Sequence, residues 1–305
     1  MPQACGAFKT KRITPLETDL DVTDMQGDWP ALRQRLRQAI DSGQLRIVVP
    51  TMNSETFLDI TLSYYAAIGI PVTVLVDSKS SDATAVCARQ WADDVRHIDN
   101  SSSVVEGMIE RLSRQANAQW VLRLDDDELP ALGMLAEVAR LIELDHVHAV
   151  GFVRKQCAVS TDGLLIASQA HRETDHRQWR LYRPDRVQYT QSVHTAGFEP
   201  VAKHSFAAPA QAFMTHLDWS LHDYTSRLAK VERYDAHTAG KGAMWRRFYL
   251  PEDDPDHDAN QFVPVTAPEF EAVCRQIAAR FPGNCMTAPD ARPRSKSWWS
   301  RILGR

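Results

Sequence analysis

Trp120-Val-Leu-Arg-Leu124 runs straight into Asp125-Asp-Asp-Glu128. The first five residues read as a buried strand, and four consecutive acids at its end repel one another unless a cation or solvent offsets their charge. Carboxylates two positions apart at a strand tip can face one ion in the hard oxygen coordination that Mg or Mn prefers. The same stretch also reads as a solvated turn whose acids sit ahead of the helix that follows Leu129-Pro130. Upstream the strand pattern recurs in Arg46-Ile-Val-Val-Pro50, in Pro71 to Val76 and in Val95 to Ile98. Helical patterns separate these runs, over Glu55 to Ile68 with Gly69 as the stop, Ala83 to Trp91, and Val104 to Gln115. Asp28-Trp-Pro30 opens a leading helix with Leu32, Leu36 and Ile40 on one face. Strands alternating with helices predict an α/β fold: a Rossmann-type, mostly parallel sheet flanked by helices, with ligands beyond the carboxyl ends of the strands.

Downstream of Pro130 a helix is predicted to about Leu144. From His148 the pattern changes to short β-like pieces, Ala149 to Val153, Gln178 to Tyr182, Val187 to Thr190 and Ala212 to Thr215. A helix over Ser220 to His237, an acidic loop from Pro251 to Asp256 and a last helix over Ala267 to Arg280 follow. The expected organisation is an N-terminal extension and helix (1–45), a parallel α/β half (46–145) and a mixed half (146–250). An acidic loop, a helix and a basic tail complete it (251–305).

Composition narrows the class of function. The 305 residues carry 35 Lys and Arg against 39 Asp and Glu, a net charge of -4, so no bulk electrostatic drive toward nucleic acid exists. Five cysteines without a CxxC pair read as reduced thiols, and the compartment is expected to be cytoplasmic. The N-terminus has no apolar stretch of a secretory signal, and no run approaches the roughly 18 apolar residues that span a bilayer. Residues 292–305 hold five Lys or Arg, no acid and the pair Trp298-Trp299, the pattern of a solvated tail or of a peripheral contact with the inner membrane face.

A second acid-bearing loop, Asp77-Ser-Lys-Ser80-Ser-Asp82-Ala-Thr84, joins a predicted strand to a helix. An acid at the strand tip can accept hydrogen bonds from a base or ribose, and the Ser and Asp residues can equally cap the helix. Neither loop has a GxxxxGK[ST] or GxGxxG pattern.

The order Ile47-Val-Val-Pro50 with Asn53 and Glu55, then Asp77, Ser80, Asp82 and Thr84, then Trp120 through Glu128, resembles the family 2 glycosyltransferases of GT-A fold. Arg180-Leu-Tyr-Arg183, Val193-His194, Thr215-His216 and Lys230-Val-Glu-Arg-Tyr234 resemble the second half of members that modify bacterial cell-surface glycans. The resemblance covers about residues 46 to 238, and it implies that 46–145 is the nucleotide-sugar-binding half and 146–250 the acceptor-side half. It implies an inverting, metal-dependent, hexosyl-type transfer from a nucleotide-sugar to a glycan or lipid-linked acceptor. Pro50, Asn53, Glu55, Asp77, Asp125 and Arg111 are then expected at the nucleotide, with Arg114 as an alternative near the diphosphate. Asp125, Asp127 and His216 are expected at a Mn or Mg ion. Thr195 stands where many relatives carry an acid after Val-His, so Asp175, Glu173 and Glu199 are the candidate bases, with His194 orienting the acceptor. A non-catalytic nucleotide- or glycan-binding relative, or a nucleotidyltransferase of related α/β fold, are the alternative readings.

Overall fold

In the computed structural model the described residues are 28–101, 105–169, 177–190, 196–253 and 262–286. The chain begins with α1 (Trp29–Asp41), β1 (Leu45–Thr51), α2 (Leu58–Ile68), β2 (Thr73–Asp77), α3 (Thr84–Trp91) and β3 (Asp94–Ile98). It continues with α4 (Ile109–Ala116), β4 (Trp120–Arg123), β5 (Glu128–Pro130) and α5 (Leu132–Leu141). The second half contains β6 (Ala149–Val159), β7 (Leu165–Ser168), β8 (Arg177–Tyr182), β9 (Gln188–Tyr189), β10 (Phe198–Glu199), β11 (Ser205–Ala207) and β12 (Phe213–His216). α6 (Asp218–Leu221), α7 (Tyr224–His237), α8 (Lys241–Tyr249), β13 (Phe262–Pro264) and α9 (Glu271–Arg280) complete it.

The main sheet runs β3-β2-β1-β4-β8-β6-β7-β13. β3, β2, β1 and β4 pair in parallel, whereas β8 is antiparallel to both β4 and β6. Alternation along the strands explains why both faces are covered. Ile47, Val49, Val74, Val76, Trp120 and Leu122 join the large core with α2 and α5. Val48, Leu75, Ile98 and Val121 point the other way, onto Ile109, Leu112 and Ala116 of α4. α2 stops at Gly69, whose φ of 71° lets Ile70 N–H close on Tyr65 O at 3.0 Å.

The elements differ from the sequence reading at identifiable places. Residues Val105–Met108 form a 3-10 turn before α4, and α2 begins only at Leu58. The single helix expected over Ser220 to His237 is broken. His222 is extended, and Asp223 caps a fresh helix by accepting a hydrogen bond from Ser226 N–H at 2.7 Å. β6 is one strand of 11 residues rather than a short piece, and α8 was not expected at all. Only Pro251–Asp253 of the acidic loop is described, as a 3-10 turn.

Strand register sets up the site. Thr51 lies beside Val76, and Val48 beside Arg123, so β1, β2 and β4 deliver their following loops to one edge. β12 runs parallel to β6, with His216 opposite Gln156, and antiparallel to β5, with His216 opposite Glu128. One strand therefore carries a histidine from far along the chain to the acidic loop.

Candidate active site at the strand tips

The four acids after β4 avoid mutual repulsion by pointing four ways. Asp125 turns to two arginines, Arg123 Nη1 at 3.1 Å and Arg180 Nη2 at 2.7 Å. Asp126 turns toward the start of α2, where Thr51 Oγ1 and Ser54 Oγ donate to it at 2.7 and 2.6 Å. Burial, with the Asp127 charge adding to it, pushes the Asp126 pKa up to about 6 against those two hydrogen bonds. Thr61 Oγ1 also donates to the Asp126 carbonyl at 2.7 Å, so this residue braces the loop. Glu128 is fully buried and accepts from Arg180 Nη2 at 2.5 Å and Arg154 Nη1 at 3.4 Å, while its other oxygen accepts from Asp125 N–H at 3.1 Å.

Asp127 faces β12. Its Oδ2 lies 3.3 Å from His216 Nε2, and Leu217 N–H donates to its carbonyl at 2.8 Å. Burial alone would raise the Asp127 pKa, but His216 and Lys230 override it and hold the carboxyl below the usual carboxylate range. On the far side of the ring, His216 Nδ1 is 2.5 Å from Gln156 Oε1, and Phe248 stacks on the imidazole at 6.0 Å between centroids. With the Nδ1 proton committed to Gln156, Nε2 can face a carboxylate only across a proton or a cation.

Asp218 completes a triad of groups. The ligand atoms of Asp127, His216 and Asp218 all lie within 4.8 Å of one another. Asp218 is fully buried; its Oδ1 accepts from Lys230 Nζ at 2.9 Å and sits 3.2 Å from His222 Nδ1. Its Oδ2 meets no hydrogen-bond donor among the described residues. Burial opposes charge on Asp218, but Lys230 and His222 hold its pKa well below the ordinary value. Burial likewise opposes the Lys230 ammonium, and Asp218 overrides that, raising its pKa. An unbonded buried carboxylate oxygen beside a second carboxylate and an imidazole nitrogen is a donor set that Mn or Mg fits.

These groups line a cleft of about 560 Å³ that also contains Pro50, Asn53, Asp77 and Asn100. Asp77 is buried at the tip of β2, where its Oδ1 accepts from Lys79 N–H at 2.9 Å. Asn53, at a φ of 54°, accepts from Ser81 N–H through Oδ1 at 2.9 Å, and Glu55 accepts from Ala83 N–H at 2.6 Å. Both stitch the loop after β1 to the loop after β2, and Glu55 does not line the cleft. Arg111 is exposed, pairs with Asp99 at 2.7 Å and stands outside the cleft lining, as does Arg114, which pairs with Glu110 at 2.5 Å. Glu199 is exposed on β10, also outside the lining. Glu173, Asp175, His194 and residues 292–305 lie outside the described residues.

The sequence reading grouped Asp125 with Asp127 and His216; the groups that converge are Asp127, His216 and Asp218. Asp218 stands two residues past His216, the same spacing that singled out Asp125 and Asp127, and that was the available signal. Arg180 and Lys230 lay inside strings already singled out, but nothing local told which of their residues face the cleft. Gln156 carried no signal of its own.

Among solved structures, TarS 1-349 of S. aureus is 14% identical at a TM-score of 0.41, covering 79% of this chain and 80% of that one. Glucosyl-3-phosphoglycerate synthase of Mycobacterium tuberculosis, in complex with Mn2+, uridine diphosphate and glucosyl-3-phosphoglycerate, is 12% identical at 0.44, covering 75% and 87%. No curated protein sequence matches. The profile described as Glycosyl transferase family 2 matches residues 46–206, more than half of the chain, from within β1 to within β11. With its acid-bearing strand tips inside that stretch, the chain belongs to glycosyl transferase family 2.

Proposed function

We propose that this chain is an inverting, Mn- or Mg-dependent glycosyltransferase of hexosyl type. It moves a sugar from a nucleotide-sugar to a glycan or lipid-linked acceptor of a bacterial cell surface. The observation that carries this reading is the unbonded Asp218 Oδ2 beside Asp127 and His216, at the mouth of the strands that present Asp77.

Asp127, His216 and Asp218 would hold the cation. When bound, it supplies the positive charge that a departing nucleoside diphosphate needs, without proton transfer. Gln156 keeps the His216 ring turned with Nε2 toward the site. Asp77 accepts a hydrogen bond from the donor's base or ribose, and Arg180 with Arg123 holds Asp125, the other acid assigned to the nucleotide. A carboxylate takes the acceptor's proton as its oxygen attacks the anomeric carbon opposite the leaving group; Asp175, Glu173 and Glu199 are the candidates, with His194 orienting the acceptor.

A panel of nucleotide-sugars incubated with Mn tests the reading. The expected result is release of a nucleoside diphosphate that stops when the metal is chelated. Pyrophosphate release instead would mean nucleotidyl transfer, and binding without turnover would mean a non-catalytic relative. We further propose that the protein acts on the cytoplasmic side and that residues 292–305 rest on the inner membrane face. Equal sedimentation of full-length and tail-deleted protein with anionic liposomes would remove the membrane contact.

A further inference from the structure

We propose that Lys230 of α7 is a second cation for the departing diphosphate, acting beside the metal and tethered by the same Asp218; this rests on the glycosyltransfer reading above. Four observations carry it. Lys230 lies beyond the stretch matched by the family profile, on the wall that α7 contributes. Ser226, Ala229, Lys230, Arg233 and Tyr234 all line the cleft, and their spacing of three and four residues makes them one stripe of the helix. That helix is fixed in place: Arg227 donates to Tyr249 O at 2.8 Å and grips Glu252 with both Nη atoms, at 2.9 and 2.5 Å. Lys230 Nζ is bonded to Oδ1 of Asp218 while Oδ2 meets no hydrogen-bond donor among the described residues, and a carboxylate oxygen of Asp218 lies within 4.8 Å of ligand atoms of Asp127 and His216.

A carboxylate shared in this way brings an ammonium and a metal ion to the same few ångströms. Lys230 has three N–H donors, of which Asp218 takes one, and the ammonium lies 4.9 Å from the centre of the Tyr249 ring. The side chain keeps 27% of its surface exposed, on the cleft side where a ligand can meet it. A purely structural pair is a poor explanation, because an apolar pair of similar volume would stabilise the fold as well without the cost of desolvating two charges.

In the transfer step the bond between the anomeric carbon and the β-phosphate oxygen breaks, and its electron pair leaves on that oxygen. Lys230 donates an N–H to the oxygen as charge develops and keeps its proton. The acceptor oxygen forms the new bond, and its proton passes to the carboxylate base. The lysine is therefore worth more as the bond breaks than in the ground state, which is the condition for raising kcat.

The test compares nucleoside diphosphates with the matching monophosphates by calorimetry at saturating Mn, using UDP, GDP, CDP, ADP and dTDP with their monophosphates. Wild type is expected to bind its preferred diphosphate more tightly than the monophosphate. Lys230→Met should weaken the diphosphate about tenfold, the scale of one charge-assisted hydrogen bond, and leave the monophosphate within about twofold. Lys230→Gln, which still donates to Asp218, gives the same comparison should the Met variant fail to fold. Equal losses for both nucleotides, or no loss, overturn the assignment. A wild-type chain that binds no diphosphate overturns the glycosyltransfer reading itself, so the two failures are told apart.

Discussion

The two walls of the cleft are assembled on different principles. One is made of loops that follow β1, β2 and β4: its functional groups are close in sequence to the strands that aim them, and its hydrogen bonds run between neighbouring loops, as from Ala83 N–H to Glu55 and Ser81 N–H to Asn53. The other wall is made of side chains that arrive from β6, β8, β12, α7 and α8, and its contacts join residues far apart, such as Arg180 with Asp125 and His216 with Gln156. The first wall presents Asp77 and the second Arg180, His216, Asp218 and Lys230, with Asp127 between them, so the two can be strained separately.

The largest effect is expected where the walls meet. Asp127→Asn removes the carboxylate that faces His216 and Asp218, and on the proposed function transfer should fall at least about 10³-fold, roughly 4 kcal/mol of transition-state stabilisation. Its melting temperature should fall modestly at neutral pH, because His216 and Lys230 hold the Asp127 carboxyl below the usual range and the amide forfeits the stability that its charge contributes. Asp125→Asn, two residues away, loses only a pairing with Arg123 and Arg180 and should weaken the donor about tenfold. Paired kinetics and melting check both. Equal losses of turnover would mean that the two acids share one role and that the division between walls is wrong.

Arg180→Met comes next. It strips Glu128, which is fully buried, of its nearest cation and leaves Arg154 at 3.4 Å to compensate. The expected cost is about 3 kcal/mol, because a buried charge has lost its partner. The double variant Arg180→Met with Glu128→Met should recover most of that stability. Urea unfolding of the three proteins decides; a double variant no better than the single would mean that Arg180 works by packing rather than by charge.

Legibility followed the same division. Trp120 through Glu128 and the Asp77 loop could be read because a strand, its turn and its acid are contiguous, and because apolar runs alternating with helices predict a sheet buried on both faces. The broken helix at His222, the one-piece β6 and α8 could not, because tertiary pairing and a cap decided them. His216 stands out in the sequence through Thr215-His216, but its closeness to Asp218 depends on a turn that brings ligand-type atoms of residues two apart within 4.8 Å. Asp125 is marked by its spacing, and what the spacing does not tell is that two arginines, from β4 and β8, pair with its carboxylate.

A smaller effect tests the second wall from behind. Gly242 begins α8 against α7, and a Cβ there would lie 2.1 Å from Val231 O and 2.8 Å from the Asp235 carboxyl carbon. Gly242→Ala should therefore push the helices apart one residue from Lys230, at about 2 kcal/mol. Nucleoside diphosphate affinity should drop together with stability, and monophosphate affinity should not. Loss of both affinities would show that α8 supports the donor wall as well.

The smallest effect belongs to the outer edge of the first wall. Asp94 begins β3, an edge strand, where Arg96 donates to both its carboxylate oxygens at 2.8 and 2.7 Å and Thr73 Oγ1 donates at 2.8 Å. Burial opposes its charge, but the bonds from Arg96 and Thr73, with the Arg46 charge, lower its pKa below the ordinary 3.8. A carboxyl whose folded pKa is depressed contributes stability that is present above the unfolded value and is lost as pH falls through the folded one. Asp94→Asn should thus cost about 1 kcal/mol at neutral pH, the scale of a well-aligned but half-exposed pair. The gap from wild type should close as pH drops below about 3.8. The group lies on the strand whose far end, Ile98, neighbours Asp77, yet its partners all belong to β1, β2 and β3. Donor KM should consequently stay unchanged in the variant. A raised KM would mean that strain at the sheet edge reaches the Asp77 loop along β3, and that the first wall is a single rigid unit rather than a set of loops held one to the next.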